Sequence, residues 1–498
     1  MNRQAVRKLT KEGCIVEKEA AERLTDDDIE AIRNLDTVPM YISGEMLSEL
    51  RSSIDGKSEI DEDSRCGQNK GVKNDPGVEE EAEKVEILDD RNRRDLETKV
   101  EIIDDKDISR DEKDVPEFLQ YYNDRYEKMK KLLMRRKEMQ SATTLKRLEK
   151  RSEGDEATAL GFVNDKYSTN SGKWIVELED RTATFKALVD EREGERIVPD
   201  EVIGVIGRMG GDIIYADSVV RPDLPIPDGV RTTSEEVEAA YISDLHLGSK
   251  DTRRDKFMEF AEWLKSDDAS DVGYVVVAGD LVEGVGVYPD QDEELEVNDI
   301  YSQYQRFEEW VEEVPEDIQI VVGPGNHDIT RLAEPQPRLP GKALPEVSEY
   351  RNVHLVQNPQ MVRLHAIRSK GVKNLMYHGF SFDEHVDMIQ DLREKSYNEP
   401  HHVMIDLLKR RHLAPTYGSN QLSPEGEDHL AITEKPDVFV SGHFHSHACE
   451  SYKGVTVINS SSFQEQTSFQ KRMGHQPDPG KVTLVNFKNR NTRVKKFF

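Results

Sequence analysis

The stretch Ala240-Tyr-Ile-Ser-Asp-Leu-His-Leu-Gly-Ser-Lys250 is an apolar strand ending on an aspartate and a histidine two positions apart. Three later segments have the same form: Val277-Ala-Gly-Asp-Leu-Val-Glu283, Val321-Val-Gly-Pro-Gly-Asn-His-Asp328 and Val440-Ser-Gly-His-Phe-His445. Tyr377-His378 closes a fifth apolar run. Loops at strand ends of an open α/β sheet converge on one edge, so the residues they carry collect at one place. A single polar strand end means little, because a loop has to begin somewhere. Asp244, Asp280, Asn326, His378 and His443, all at such ends, point instead to a metal centre. Carboxylates mixed with imidazoles suit divalent Mn, Zn or Fe over Mg, which favours all-oxygen shells.

Working outward, β-branched runs (AAYIS, GYVVVAG, IQIVVGPG, KNLMYHG, DVFVSG) alternate with helical periodicity at 256–264 and 301–314. Strands of this kind are covered on both faces, which predicts a layered α/β domain over 236–498, with a further strand at 482–487. Residues 221–228 (RPDLPIPD) form a stiff connector. Before it, 155–225 alternates apolar and polar residues between Asn/Asp/Gly turns, predicting a small five-stranded OB-like β-barrel with Gly204 and Gly207 at points of curvature. Trp174, Phe162 and Phe185 are its candidate stacking residues, with scaffolding the alternative role. Residues 116–154 read as a helical connector whose Tyr121, Tyr122, Tyr126, Met129, Leu132 and Leu133 share one face. Residues 56–115 read as an acidic disordered linker containing two similar patches, VEILDD and VEIIDD. Residues 1–55 read as a small helical interaction unit, with Thr25 capping a helix.

The 498 residues carry 99 acidic against 69 basic side chains, a formal net charge of -30. Such a surface repels phosphate backbones unless salt screens it or a partner and bound cations supply positive charge. The acid excess favours a salt-loving cytoplasm. Neither a membrane span nor a signal peptide is read from the sequence, and scattered Cys14, Cys66 and Cys449 fit a reducing interior.

DLH, GD..E, GNHD and GHFH stand in the order of the calcineurin-like metallophosphoesterase superfamily, which residues 236–498 resemble. The whole chain resembles the small-subunit family of archaeal family D DNA polymerases, as do YHGFSFD (377–383) and LKRRHLAP (408–415). The resemblance implies a β-sandwich flanked by helices, holding two divalent cations, Mn2+ first, with Zn2+, Fe2+ or Mg2+ admitted. Asp244, His246 and His445 would hold one, and Asn326, His378 and His443 the other, with Asp280 bridging. His412 competes with His378 for its slot; otherwise His412, Arg410 and Arg411 would face the phosphate backbone. His327 would meet the leaving oxygen, with Asp328 orienting its imidazole, and Glu283 would shape the substrate mouth beneath a lid at 284–299.

Activity follows from the same resemblance: 3′→5′ exonuclease proofreading for a two-subunit replicative polymerase whose large subunit carries synthesis. The implied partners are that subunit and DNA with a 3′ single-stranded or mismatched end. A noncatalytic assembly subunit and a stand-alone cyclic-nucleotide or monoester phosphatase are the alternatives. Asn491, Val494, Phe497 and Phe498 are spaced like a sliding-clamp-binding peptide.

Overall fold

In a computed structural model, the described residues are 15–16, 41–42, 96–105, 108 and 115–498, except 228, 290 and 419. The chain divides into compact units at 1–86 and 87–498. In the first, β1 (Ile15–Val16) and β2 (Tyr41–Ile42) pair in parallel. Thr25 and the rest of the helical unit expected there lie outside the described residues.

The second unit opens with β3 (Val100–Ile103), α1 (Val115–Leu133) and α2 (Leu145–Leu148). The barrel follows: β4 (Glu156–Ser168), β5 (Trp174–Glu179), β6 (Thr184–Val189), α3 (Glu191–Arg196), β7 (Val202–Met209) and β8 (Ile213–Val220). It closes in the order β4-β5-β6-β8-β7 around Val163, Leu178, Ala187, Val205 and Ile214. Gly207 sits where the β7–β8 register shifts, and a Cβ there would collide with the Tyr215 carbonyl. Of the candidate stacking residues, Phe185 is core and Phe162 is covered by Tyr122 and Tyr126 of α1.

The remaining elements, in order, are β9 (Glu238–Ile242), α4 (Arg254–Leu264), β10 (Val272–Ala278), α5 (Ile300–Glu313), β11 (Gln319–Gly323), β12 (Val353–Leu355), β13 (Gln360–Leu364) and β14 (Val372–Met376). Then come α6 (Phe382–Met388), α7 (Gln390–Arg393), α8 (His401–Arg410), β15 (Val438–Ser441), β16 (Ala448–Tyr452), β17 (Val455–Asn459), α9 (Ser468–Met473), β18 (Lys481–Asn486) and β19 (Thr492–Lys496). They build two six-stranded sheets, β12-β11-β10-β9-β18-β19 and β16-β17-β15-β14-β13-β3. Alternation along the strands assigns the layers. Ala240, Ile242, Val275 and Val277 pack with Phe257, Phe260, Phe307 and Trp310 of α4 and α5. Their neighbours Ala239, Tyr241, Tyr274 and Val276 meet Val362, Val372, Met376 and Val440 between the sheets. The result is helix, sheet, sheet, helix. A one-residue slip in β9 would exchange the two sets.

Three expectations need correction. Val100–Ile103, read as linker, is the edge strand of the second sheet, antiparallel to β13, with the Tyr274 hydroxyl accepting from Lys99 N. The C-terminal segment is no free peptide. Thr492–Lys496 pairs antiparallel with β18, Asn491 lies in the turn before it, and Phe497 packs on Phe260 and Trp263. Val494 and Phe498 are part-exposed, with Arg253 over the Phe498 ring. Finally, Arg410, Arg411 and His412 are buried joints rather than a phosphate-facing cluster. Arg410 pairs with Asp406 at 2.7 Å and with Glu201 beside the barrel, tying barrel to α/β domain. Arg411 Nε donates to the Ile432 carbonyl. His412 Nε2 donates to Asp428, which also binds Arg125 of α1 at 2.7 Å.

Candidate metal centre

Asp244, His246, Asp280, His443 and His445 all adopt the left-handed backbone region, with φ between 46° and 71°. Outside glycine this region is uncommon, and holding a residue there costs about 1 kcal/mol or more. Five such residues meeting at one sheet edge mark a site for which the fold accepts strain. Glycines clear the space: a Cβ on Gly325 would overlap Asp280, and one on Gly442 would overlap Asp244.

The side chains converge as two overlapping groups. Asp244, His246 and His445 bring ligand atoms within 4.8 Å of one another, and so do Asp244, Asp280 and His378. His445 Nε2 lies 3.4 Å from Asp244 Oδ1, and His378 Nε2 lies 3.1 Å from Asp280 Oδ2 and 2.9 Å from Asn326 Oδ1. His378 thus stands with Asp280 and Asn326, whereas His412 lies apart from the cluster, on Asp428. His443 packs edge-on to His378, ring centroids 5.4 Å apart, and its backbone N–H donates to Asp244. Asp280 lies within the reach of His246, His378 and His327 together.

One ring nitrogen of each imidazole lies against a polar neighbour. His378 Nδ1 donates to the Ala278 carbonyl at 2.9 Å. His246 Nδ1 lies 3.0 Å from Glu283 Oε2, and His327 Nδ1 donates to the Glu283 carbonyl at 2.7 Å. His443 Nε2 meets Asp383 at 2.7 Å, leaving Nδ1 for a cation, whereas Gln470 Nε2 donates to His445 Nδ1 at 2.9 Å and so places the proton of that neutral ring on Nε2. Such outer contacts fix tautomers and orient metal ligands. Glu283, Asp383 and Gln470 were not read as positioning residues. Glu283 and Asp383 lie inside quoted motifs, whereas no sequence signal marks Gln470.

Asp328 does not touch the His327 imidazole, correcting its expected role. Its carboxylate accepts from Tyr304 Oη at 2.8 Å and from Gly325 N at 2.8 Å, shaping the turn that carries Asn326 and His327. The Glu283 carbonyl is what orients His327.

Electrostatics support cation binding. Burial pushes the Asp280 carboxyl up, but His378 and His327 beside it prevail and hold it well below the usual range. Burial alone would deprotonate His378, yet Asp280 and Asp244 raise it to about 10. Ionised buried carboxylates facing convergent imidazoles are a donor set that fits divalent cations, each of which would displace protons on binding.

A calcineurin-like phosphoesterase family model matches residues 239–447. The DNA polymerase II small subunit of Methanocaldococcus jannaschii is 37% identical over 413 residues, covering 79% of this chain and 68% of that one. Its counterpart in Halobacterium salinarum is 39% identical over 389 residues, covering 76% and 75%. That of Methanothermobacter thermautotrophicus is 38% identical over 388 residues, covering 75% and 78%.

Proposed function

The chain belongs to the family of DNA polymerase II small subunits, and on that premise we propose that it pairs with a large synthesising subunit and removes 3′-terminal nucleotides from DNA. The observation that carries this reading is the convergence of Asp244, His246, Asp280, His378 and His445 beside His327. An assembly subunit without chemistry has no use for five strained residues at one sheet edge.

Asp244, His246 and His445 would hold one cation, and Asn326, His378 and His443 a second, with Asp280 reaching both. Two divalent ions, Mn2+ foremost, would supply a water of lowered pKa and neutralise the phosphoryl oxygens. His327 is the acid of the reaction. Burial disfavours its proton, but Asp280 and Glu283 outweigh this and raise its pKa above the ordinary histidine value. Its Nδ1 is held by Glu283, so Nε2 delivers the proton to the departing 3′ oxygen. Water adds to phosphorus, the P–O3′ bond breaks, and a 5′-mononucleotide leaves.

The test is Mn2+-dependent digestion of 5′-labelled single-stranded and mismatched primers, at high salt to screen the acidic surface. Wild-type chain, His327→Ala and the pair reconstituted with the large subunit are compared. A ladder shortening from the 3′ end, slowed about 10²–10⁴-fold in His327→Ala, is expected. A reconstituted, manganese-supplied pair that never shortens a primer overturns the proposal, and turnover confined to cyclic nucleotides or monoesters replaces it with a phosphatase.

A further inference from the structure

Helix α9 contacts one half of the metal centre directly, and the residues after it connect to the other half through Tyr397 and Asp383. The helix is fixed by a capping box between Thr467 and Gln470, and Gln470 also contacts His445 at 2.9 Å. Just beyond it, His475 stacks on Tyr397 with ring centroids 4.6 Å apart. The Tyr397 hydroxyl donates to Asp383, which in turn holds His443.

Three side chains of this element face solvent with no protein chemistry to explain them. Phe469 is 53% exposed. Lys471 and Arg472 are exposed, and among the described residues no carboxylate forms an ion pair with either. Elsewhere in the same domain Arg253, Arg254, Lys256, Lys265 and Arg306 are each paired with acids, while Lys342, Arg351, Lys370 and Lys395 share the unpaired state among the described residues but lie outside this element. Glu294, beside the start of the helix, is already engaged by the hydroxyls of Ser468 and Tyr288, and Glu465 by Arg253. Two adjacent cations and an exposed aromatic ring, on the element that carries Gln470 in a chain of net charge -30, are complementary to an anionic ligand with flat faces.

We propose that residues 468–475 dock the single-stranded 3′ end of DNA. Lys471 and Arg472 take backbone phosphates and Phe469 stacks a base, the combination by which single strands are held without sequence preference. The inference rests on the exonuclease reading for its substrate, but its test does not need cleavage.

Binding of a fluorescein-labelled oligothymidylate to the full chain is followed by anisotropy across a salt series, with divalent cations chelated so that the strand stays intact. Losing two phosphate contacts should flatten the log–log salt slope by about 1.4 in Lys471→Ala/Arg472→Ala. Affinity at fixed low salt should fall about tenfold or more, and the charge-preserving Lys471→Arg/Arg472→Lys should restore both. A 2-aminopurine near the 3′ end should be quenched by wild type and not by Phe469→Ala. Circular dichroism confirms that each variant is folded. Unchanged slope and affinity in the double alanine variant, with wild type shortening primers, overturn the docking surface and leave the exonuclease standing. Loss of slope in the variant, with wild type never shortening a primer, supports the surface while the exonuclease fails. If the variant instead loses only its affinity for the large subunit, the face belongs to that partner and the proposal falls.

Discussion

His246 and His445 face each other, Nε2 to Nε2, at 3.0 Å. Two imidazole nitrogens at that spacing can share one proton at most, and the far nitrogens lie 3.0 Å from Glu283 Oε2 and 2.9 Å from Gln470 Nε2. With Gln470 Nε2 donating to His445 Nδ1, the shared proton sits on His445 Nε2 and points at His246 Nε2, and a cation bound between the rings would have to displace it.

Glu283→Gln should therefore weaken metal binding without touching the metal. The neutral amide no longer demands the His246 Nδ1 proton, so the tautomer that aims Nε2 inward loses its anchor. Manganese affinity by calorimetry should fall about 10–100-fold, with the unfolding midpoint measured in chelator little changed.

Gly442→Ala tests the cradle. The added Cβ would overlap the Asp244 carboxylate and the Ser243 side chain. Cation stoichiometry, measured by equilibrium dialysis, should drop, since Asp244 must turn away to admit the methyl group. Retained full stoichiometry would mean that Asp244 holds no ion.

Acid lability has an identifiable source in His412. Its Nδ1 accepts from Ala414 N at 3.0 Å, which only the neutral ring can do while Nε2 donates to Asp428. Burial and the Arg125 charge lower its pKa to about 4. Above about 6.5 the native and unfolded chains are both neutral there, and the contribution is intact. As pH falls toward 4 the unfolded chain takes up a proton that the native one refuses, so stability is lost, up to about 3 kcal/mol across that window. Urea unfolding between pH 7 and 4 should show a shallower decline for His412→Gln than for wild type, whatever the variant's stability at pH 7.

Phe497→Ala should cost about 3–5 kcal/mol, as for other buried aromatics cut to alanine, because its ring fills the space between Phe260, Trp263 and Phe463. Phe498→Ala should cost far less. Thermal unfolding distinguishes a core residue from a peptide displayed to a clamp, for which both changes would be silent.

The α/β domain was legible because its strands are buried on both faces and end abruptly in Asp, Asn or His, a pattern that survives without knowledge of which strand neighbours which. The ligand residues were legible for the same reason. What escaped depends on contacts between distant segments. Gln470 reaches His445 from a six-residue helix whose sequence carries no metal signature. The VEII of β3 is half-buried throughout and too short to separate from an acidic linker by alternation. Asp328 follows His327 in the chain, yet the turn sends its side chain toward Tyr304 instead. In LKRRHLAP, basic residues looked solvent-facing because their partners, Glu201 and Asp428, lie far away in sequence.

The joint between Arg410, Asp406 and Glu201 fixes more than stability. Parting the barrel from the metal domain would break the Arg410–Glu201 pair and admit water to a joint where Arg410, Asp406 and Glu201 are all buried. Barrel and metal domain share that joint within one compact unit, 87–498, and so move together rather than as modules on a hinge. If a growing strand is to be handed over for trimming, it must travel to this body, or the body must turn as a whole to meet it.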